Sequence, residues 1–251
     1  MRIAILSDIH GNRTAFDAVL ADLRETSPDL VLHGGDLADS GASPVEIVDQ
    51  IRGFGWQGVV GNTDELLFRP DSLHEFASHS PQLQPLFAVV EEMAVATREA
   101  LGEERLAWLR ELPHTQIRGP MALVHGSPGD TWRAPGPEAS DTELESAYQS
   151  LSEEVTVYAH IHRPYIRTFR GAQPIHGFPR TPSRTIANTG SVGLSYDGDQ
   201  RASYLLLDDG QPAIRRVEYD LGRELKALST RGLPHADWIA RMLVSGRPQM
   251  P

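Results

Sequence analysis

The sequence predicts an α/β fold built on parallel strands, and three observations carry that prediction. Short apolar runs, Ile3-Ala4-Ile5-Leu6, Leu30-Val31-Leu32 and Val59-Val60, alternate with helical patterns over the first sixty residues. Each run is bounded by turn residues and shows no polar face, as expected of strands covered on both sides. The connections between the runs are long enough for right-handed βαβ crossovers.

A first helix is predicted from about Thr14 to Thr26, with Thr14 as its cap and Phe16, Val19, Leu20 and Leu23 as its buried stripe. Ser43-Pro44 starts a second helix with an inner face of Val45, Ile47, Val48 and Ile51, which Gly53 ends. From Glu65 to Leu112 the chain reads as mostly helical, clearest over Leu86 to Leu101 and Glu103 to Leu112. Strand patterns return at Met121–Val124 and Val155–Ala159, around a helix near Thr142 to Leu151. From Tyr165 to Tyr219, short alternating runs predict antiparallel strands. Leu221 to Leu228 and Trp238 to Val244 offer the apolar faces of two short helices.

A chain of 251 residues lies near the upper limit of a single hydrophobic core. The expected organisation is one domain over residues 1–220, with a helical extension over 221–251 packed on it. With no cysteine, disulfides, thiolate nucleophiles and thiolate metal sites are excluded. The net charge of -11 argues against stable sequence-independent binding to nucleic acid. The first apolar run ends at Asp8, too short for a signal peptide or a membrane span. A cytoplasmic protein with no membrane partner is expected.

The chemistry lies at the strand ends. Immediately after the five strongest strand candidates come Asp8 and His10, then Asp36, then Asn62, then His125, and then His160 and His162. Open α/β sheets bind ligands at the carboxyl ends of their strands. Asp8 alone reads as a helix cap and His10 as a loop histidine; recurrence after five strands reads as a metal site. Two carboxylates, one amide oxygen and four imidazoles exceed one tetrahedral ion and suit two borderline divalent ions sharing a carboxylate. Gly34 and Gly35 before Asp36, and Gly61 before Asn62, allow tight turns beside a crowded centre.

Asp8-Ile9-His10, Gly35-Asp36, Gly61-Asn62, His125-Gly126 and His160-Ile161-His162 resemble the ordered motif set of the calcineurin-like metallophosphoesterases. Ser7-Asp8-Ile9-His10-Gly11-Asn12, His125-Gly126-Ser127-Pro128 and Asn188-Thr189-Gly190-Ser191-Val192-Gly193 are similar to a small prokaryotic branch. That branch includes phosphodiesterases and diadenosine tetraphosphatase-like proteins. The resemblance runs from Asp8 to Gly193 and leaves the last thirty residues outside it.

The resemblance implies a four-layer α/β/β/α sandwich of two mixed sheets flanked by helices, with two metals at one edge. Asp8, His10 and His162 would hold one ion, Asn62, His125 and His160 the other, and Asp36 would bridge them. The implied ions are drawn from manganese, iron, zinc, nickel and cobalt, manganese first. The implied reaction is hydrolysis of phosphodiester or phosphoanhydride bonds in small nucleotide-like substrates, by in-line attack of a metal-bridging hydroxide.

Two positions depart from the family pattern. Thr63 stands where many members carry a histidine thought to protonate the leaving oxygen, and threonine is too weakly acidic to replace it. Ala159 stands where a glycine usually precedes the final histidine pair, a small and tolerable change. The catalytic candidates are therefore Asp36, Asn62, Thr63 and Asp64. Asp64 could orient a ligand or a water, and could equally cap the helix that begins Glu65-Leu66-Leu67.

Asn12, Arg13 and Arg163 are the candidates for binding substrate phosphate. No Asp or Glu falls between Glu154 and Asp197, where Arg163, Arg167, Arg170, Arg180 and Arg184 all lie. Arg167 and Arg170 read as solvated arginines on edge strands, and Arg163, beside the ligand pair, as an electropositive rim for a polyanion. His33 reads as packed, and His74, His79, His114, His176 and His235 as outside the site. Rival readings are a non-catalytic interaction module on this fold, like the retromer subunit, and a phosphoprotein phosphatase or DNA nuclease of the superfamily. Loss of metal ligands would mark the module, yet all seven positions are filled; the acidic balance and Thr63 argue against a nuclease.

Overall fold

Successive side chains of Arg2–Leu6 (β1) leave the strand on opposite faces, and Ile3 to Leu6 are all buried. Ile3 and Ile5 enter an apolar layer between two sheets, while Ala4 and Leu6 pack against helices. That double burial makes β1 a central strand. The structure is a computed structural model and describes residues 1–78, 81–169 and 183–251.

The first sheet has the order β10-β9-β1-β2-β3. Here β2 is Leu30–His33, β3 is Gln57–Gly58, β9 is Ala202–Asp208 and β10 is Gln211–Val217. The three N-terminal strands are parallel, in the register Ile5↔Leu32↔Gln57, and β9 and β10 run antiparallel to their neighbours. The second sheet has the order β4-β5-β6-β8-β7, formed by Thr115–Arg118, Met121–Val124, Val155–Tyr158, Arg184–Asn188 and Tyr165–Phe169 in that spatial order. Ile3, Ile5, Leu32 and Val59 on the side of the first sheet meet Met121, Leu123, Val157 and Ala187 of the second, which seals the sheets face to face.

Helices cover the outer faces. Arg13–Thr26 (α1), Pro44–Phe54 (α2) and Gln84–Arg110 (α5) pack on the first sheet through Phe16, Val19, Ile47, Ile51 and Leu101. Asp141–Ala147 (α6) and the residue after it bring Leu144 and Tyr148 against Val124, Tyr158 and Ile186 of the second. The result is an α/β/β/α sandwich of two mixed five-stranded sheets. Asn62–Phe68 (α3) and Asp71–Ala77 (α4) sit at the edge where the parallel strands end. Leu221–Arg231 (α7) and Ala236–Ser245 (α8) form an apolar cluster with Met93 of α5 and Leu194.

Five expectations need correction. The third strand is Gln57–Gly58 (β3), and Val59-Val60 follows it as buried loop. Asn12, not Thr14, caps α1: its Oδ1 accepts the amide of Ala15 at 2.9 Å. Gly55, in the left-handed conformation (φ 67°), ends α2, and Gly53 lies inside the helix. Thr115–Arg118 is a strand that the sequence conceals, because its one apolar residue, Ile117, is exposed at the sheet edge. Strand β8 is antiparallel to β7 but parallel to β6, and its Ile186-Ala187-Asn188 is buried as suits an interior strand. The helical stretch from Leu86 to Leu112 is broken at Gly102, which has φ 68° and ψ 167°. Arg170, Arg180, His79 and His176 lie outside the described residues.

Candidate metal centre

Every predicted ligand lies just beyond the carboxyl end of a parallel strand. Asp8 and His10 come after β1, Asp36 after β2, Asn62 after β3, His125 after β5, and His160 and His162 after β6. Five of the seven have left-handed backbones: Asp8 (φ 52°), His10 (48°), Asp36 (54°), His160 (68°) and His162 (54°). For residues with a Cβ that conformation costs about 1–2 kcal/mol each. Backbone hydrogen bonds hold the turns against the strain: Asp8 N–H donates to Gly35 O, His10 N–H to Asp36 O, and Gly193 N–H to Asp8 O. The glycines fit by necessity. Gly35 has φ 88°, and a Cβ on Gly61 would stand 2.1 Å from Asp36 Oδ1.

The ligand atoms fall into two groups that share one oxygen. In the first, Asp8 Oδ1 lies 3.2 Å from His162 Nε2, His10 Nε2 3.2 Å from His162 Nε2, and His10 Nε2 3.6 Å from Asp36 Oδ2. Candidate ligand atoms of these four residues all lie within 4.8 Å of one another. In the second, Asn62 Oδ1 lies 2.9 Å from His125 Nε2 and 2.8 Å from His160 Nδ1, and His125 Nε2 lies 3.5 Å from Asp36 Oδ2. Atoms bound to one ion at about 2.0–2.2 Å are themselves about 3 Å apart, so both groups have the spacing of a coordination shell. Asp36 Oδ1 is already engaged by the Thr63 amide at 2.9 Å, which leaves Oδ2 as the shared atom.

The surroundings fit metal ligation. His10 Nδ1–H donates to Asp39 O, His125 Nδ1–H to Gly34 O and His162 Nδ1–H to Leu194 O, which orients the rings and aims each Nε2 inward. Asp8 Oδ1 is buried without a hydrogen bond among the described residues. Burial would raise the Asp36 carboxyl, but His125 and His10 hold it far below the usual carboxylate range. Burial would lower His125, yet Asp36 lifts it to about 9, while burial pushes His160 down to about 4. A fixed anion ringed by imidazoles is a site for positive charge. A cation bound there would compete with protons for the imidazole nitrogens.

The remaining candidates divide. Asn62, Thr63, Asp36, His10, His160 and His162 all line a cavity of about 340 Å³ beside the centre. The Thr63 hydroxyl is buried with no partner among the described residues. Asp64 is turned away from the cleft. Its oxygens accept the amides of Asp36 (2.7 Å), Leu37 (3.0 Å) and Gly61 (3.2 Å), so it fixes the turn that carries Asp36 and has no atom left for substrate. Asn12 is spent as well, capping α1 and donating from Nδ2 to Gly193 O. Arg13 is exposed beside Asp17, outside the cavity lining. Arg163 donates through Nε to Tyr196 O and bears on the site through that residue, whose ring stacks on His162 with centroids 4.3 Å apart. Arg167 and Arg184 bind the carbonyls of Ala139, Pro137 and Tyr148, so both brace loops. His33 is buried, as expected.

Sequence reasoning missed Asp39, Leu194, Tyr196 and the wall residues Trp132 and Trp238. Asp39, three residues after Asp36, was the one with a readable signal. Leu194 contributes only a carbonyl, and the others come from segments with no motif.

Comparison with known proteins agrees with this geometry. The model of the calcineurin-like phosphoesterase superfamily domain matches residues 1–210. An uncharacterized protein of Methanocaldococcus jannaschii is 28% identical, and the match covers 98% of both chains. The crystal structure of a metallophosphoesterase from Sphaerobacter thermophilus superposes with a TM-score of 0.76 at 27% identity, covering 98% of this chain and 99% of that one. A hypothetical protein from Pyrococcus horikoshii OT3 shares the fold, with a TM-score of 0.77 at 20% identity over 99% of each chain. A sandwich of two mixed sheets with acidic and histidine ligands at one edge defines a metal-dependent phosphoesterase. The chain belongs to the calcineurin-like phosphoesterase superfamily. No helix among the described residues is long and apolar enough to cross a membrane.

Proposed function

We propose that the chain hydrolyses phosphodiester or phosphoanhydride bonds in small nucleotide-like substrates at a centre of two divalent ions. The observation that carries the reading is the shared Asp36 Oδ2, 3.6 Å from His10 Nε2 and 3.5 Å from His125 Nε2. Asp8, His10 and His162 would hold one ion, Asn62, His125 and His160 the other, and Asp36 both. When bound, two such ions supply a water acidic enough to act as a nucleophile near neutral pH, and neutralise charge on the phosphoryl oxygens.

The chain's own residues do the rest. Backbone carbonyls of Asp39, Gly34 and Leu194 lock three imidazoles in place, so the donors need no reorganisation during reaction. Asp64 fixes the Asp36 turn, and the Thr63 amide fixes the carboxylate. The Thr63 hydroxyl, without a protein partner among the described residues, would donate to a phosphoryl oxygen. Thr63 cannot protonate an alkoxide, so the leaving group must carry its own charge away. Aryl diesters and phosphoanhydrides can do this; alkyl monoesters cannot.

All seven ligand positions are filled, which disfavours a purely structural module. A substrate panel tests the reading. Metal-loaded protein should cleave bis(p-nitrophenyl) phosphate and leave glycerol phosphate almost untouched; inactivity on every phosphoester would overturn it.

A further inference from the structure

The cavity beside the centre is polar at one end only. Phe76 of α4, Phe87 of α5, Trp132, and Trp238, Ile239 and Met242 of α8 make the remainder apolar. Phe76 and Trp132 stack with centroids 5.2 Å apart at 24°. The chain beyond α8 closes the cleft: Gln249 lines it, held by the Trp238 Nε1–H bond to Gln249 O at 2.9 Å and by Gln249 Nε2 to Ser245 Oγ at 2.8 Å. The α8 and terminal part of this wall lies beyond residue 210, where the match to the family model ends.

Resting on the phosphoesterase reading above, we propose that α8 and the terminal segment build a subsite for the retained arm of a phosphodiester, and that this arm ends in one uncharged aromatic group. Three observations select that occupant. The cavity holds about 340 Å³, near the bottom of the range of about 300–1,000 Å³ for small-molecule sites. That volume matches one ring system beside the phosphate. No lysine or arginine is among its described lining residues, so additional phosphates would be buried without cations. The apolar wall is continuous with the ligands Asn62, His160 and His162, so a ring seated there is covalently within reach of a phosphorus at the centre.

The retained arm is selected over the leaving arm by charge. A departing oxygen becomes anionic, and seating it against the apolar wall raises the cost of that charge. The retained arm stays neutral throughout and gains from desolvation of its ring. Trp238, Met242 and Phe76 are thus specificity residues, contacting substrate but not the reacting atoms.

Two esters with one leaving group provide the test. Phenyl p-nitrophenyl phosphate and methyl p-nitrophenyl phosphate both release p-nitrophenolate and differ only in the arm retained. Wild type should favour the phenyl ester by about tenfold or more in kcat/KM, expressed mainly in KM; tenfold corresponds to about 1.4 kcal/mol. Trp238→Ala should bring the ratio toward one by raising KM for the phenyl ester. Because Trp238 also packs in the α7–α8 cluster, Phe76→Ala, on the less buried side of the cleft, provides the same readout if the first variant fails to fold. Phenyl phosphate should quench tryptophan fluorescence at lower concentration than methyl phosphate, because two of the four tryptophans line the cavity. Equal kcat/KM for the two esters in wild type, or equal losses on both in the variants, would overturn the subsite. Failure to cleave either ester would instead overturn the phosphoesterase reading.

Discussion

His10 and His162 aim their Nε2 atoms at each other across 3.2 Å, while the Nδ1–H of each donates to a backbone carbonyl, of Asp39 and Leu194 respectively. Two nitrogen lone pairs at that distance repel unless a positive charge lies between them. The pair is thus placed to share a cation, at a point where both rings are buried.

That relationship predicts a metal-dependent difference in stability. Wild type should melt higher with manganese than with a chelator, since saturation at 100 times Kd is worth about 2.7 kcal/mol. His162→Gln should lose most of this increment, because one nitrogen of the first ligand group is gone. Calorimetry of both proteins in both buffers checks it. Equal increments would show that His162 does not contact an ion.

On the function proposed above, Thr63 governs the leaving group. Thr63→His should raise activity on alkyl esters by at least about tenfold relative to aryl diesters, within the 10²–10⁴-fold range of general acid catalysis. The comparison is a plot of rate against leaving-group pKa, whose slope should flatten in the variant. If wild type already cleaves alkyl monoesters as fast as aryl diesters, another acid acts, and Asp39 on the cavity wall is the next residue to substitute.

Arg163 should behave as a brace. Its Nε holds the Tyr196 carbonyl at 3.1 Å, and the residue does not line the cavity. Arg163→Ala should therefore impair mononucleotide and aryl diester substrates by similar factors, with little dependence on salt. A selective, salt-sensitive loss on the more highly charged substrate would restore the electropositive rim expected from the sequence.

His33 should make the fold sensitive to acid. Both ring nitrogens are buried without partners among the described residues, and burial lowers the imidazole to about 4. The folded protein keeps His33 neutral while the unfolded chain takes up a proton below about 6.5, so stability is present above that pH and is lost as pH falls toward 4. Between pH 7.5 and pH 5 this group should cost about 2 kcal/mol. His33→Leu should remove that share of the pH dependence in chelator-treated protein, measured by urea unfolding at both pH values. Identical pH dependence in the two proteins would contradict the burial argument.

Much of this arrangement was legible in the sequence because it repeats. Most of the apolar runs mark strands, the ends of the parallel strands β1, β2, β5 and β6 lead into ligand-type side chains, and the parallel order of β1, β2 and β3 arises from the crossovers. The residues that escaped did so for particular reasons. Asn12 beside the first motif looked available to substrate, but a side-chain amide at a helix start is claimed first by the backbone. Asp64 could not be assigned until its three amide partners were seen, two of them in the Asp36 turn across the sheet. The edge strand β4 lacks the apolar alternation that burial imposes. The wall of α8 reaches the cleft only through tertiary packing, from residues more than seventy positions beyond His162.

The central claim, one oxygen of Asp36 joining two metal sites, is tested most directly by counting ions. Protein purified without added metal, then loaded and desalted, should carry about two divalent ions per chain by mass spectrometry and should hydrolyse bis(p-nitrophenyl) phosphate. Asp36→Ala, prepared identically and shown to be folded by circular dichroism, should carry close to none and be inactive, because a two-metal clamp depends on its shared ligand. Full occupancy in Asp36→Ala would contradict the account.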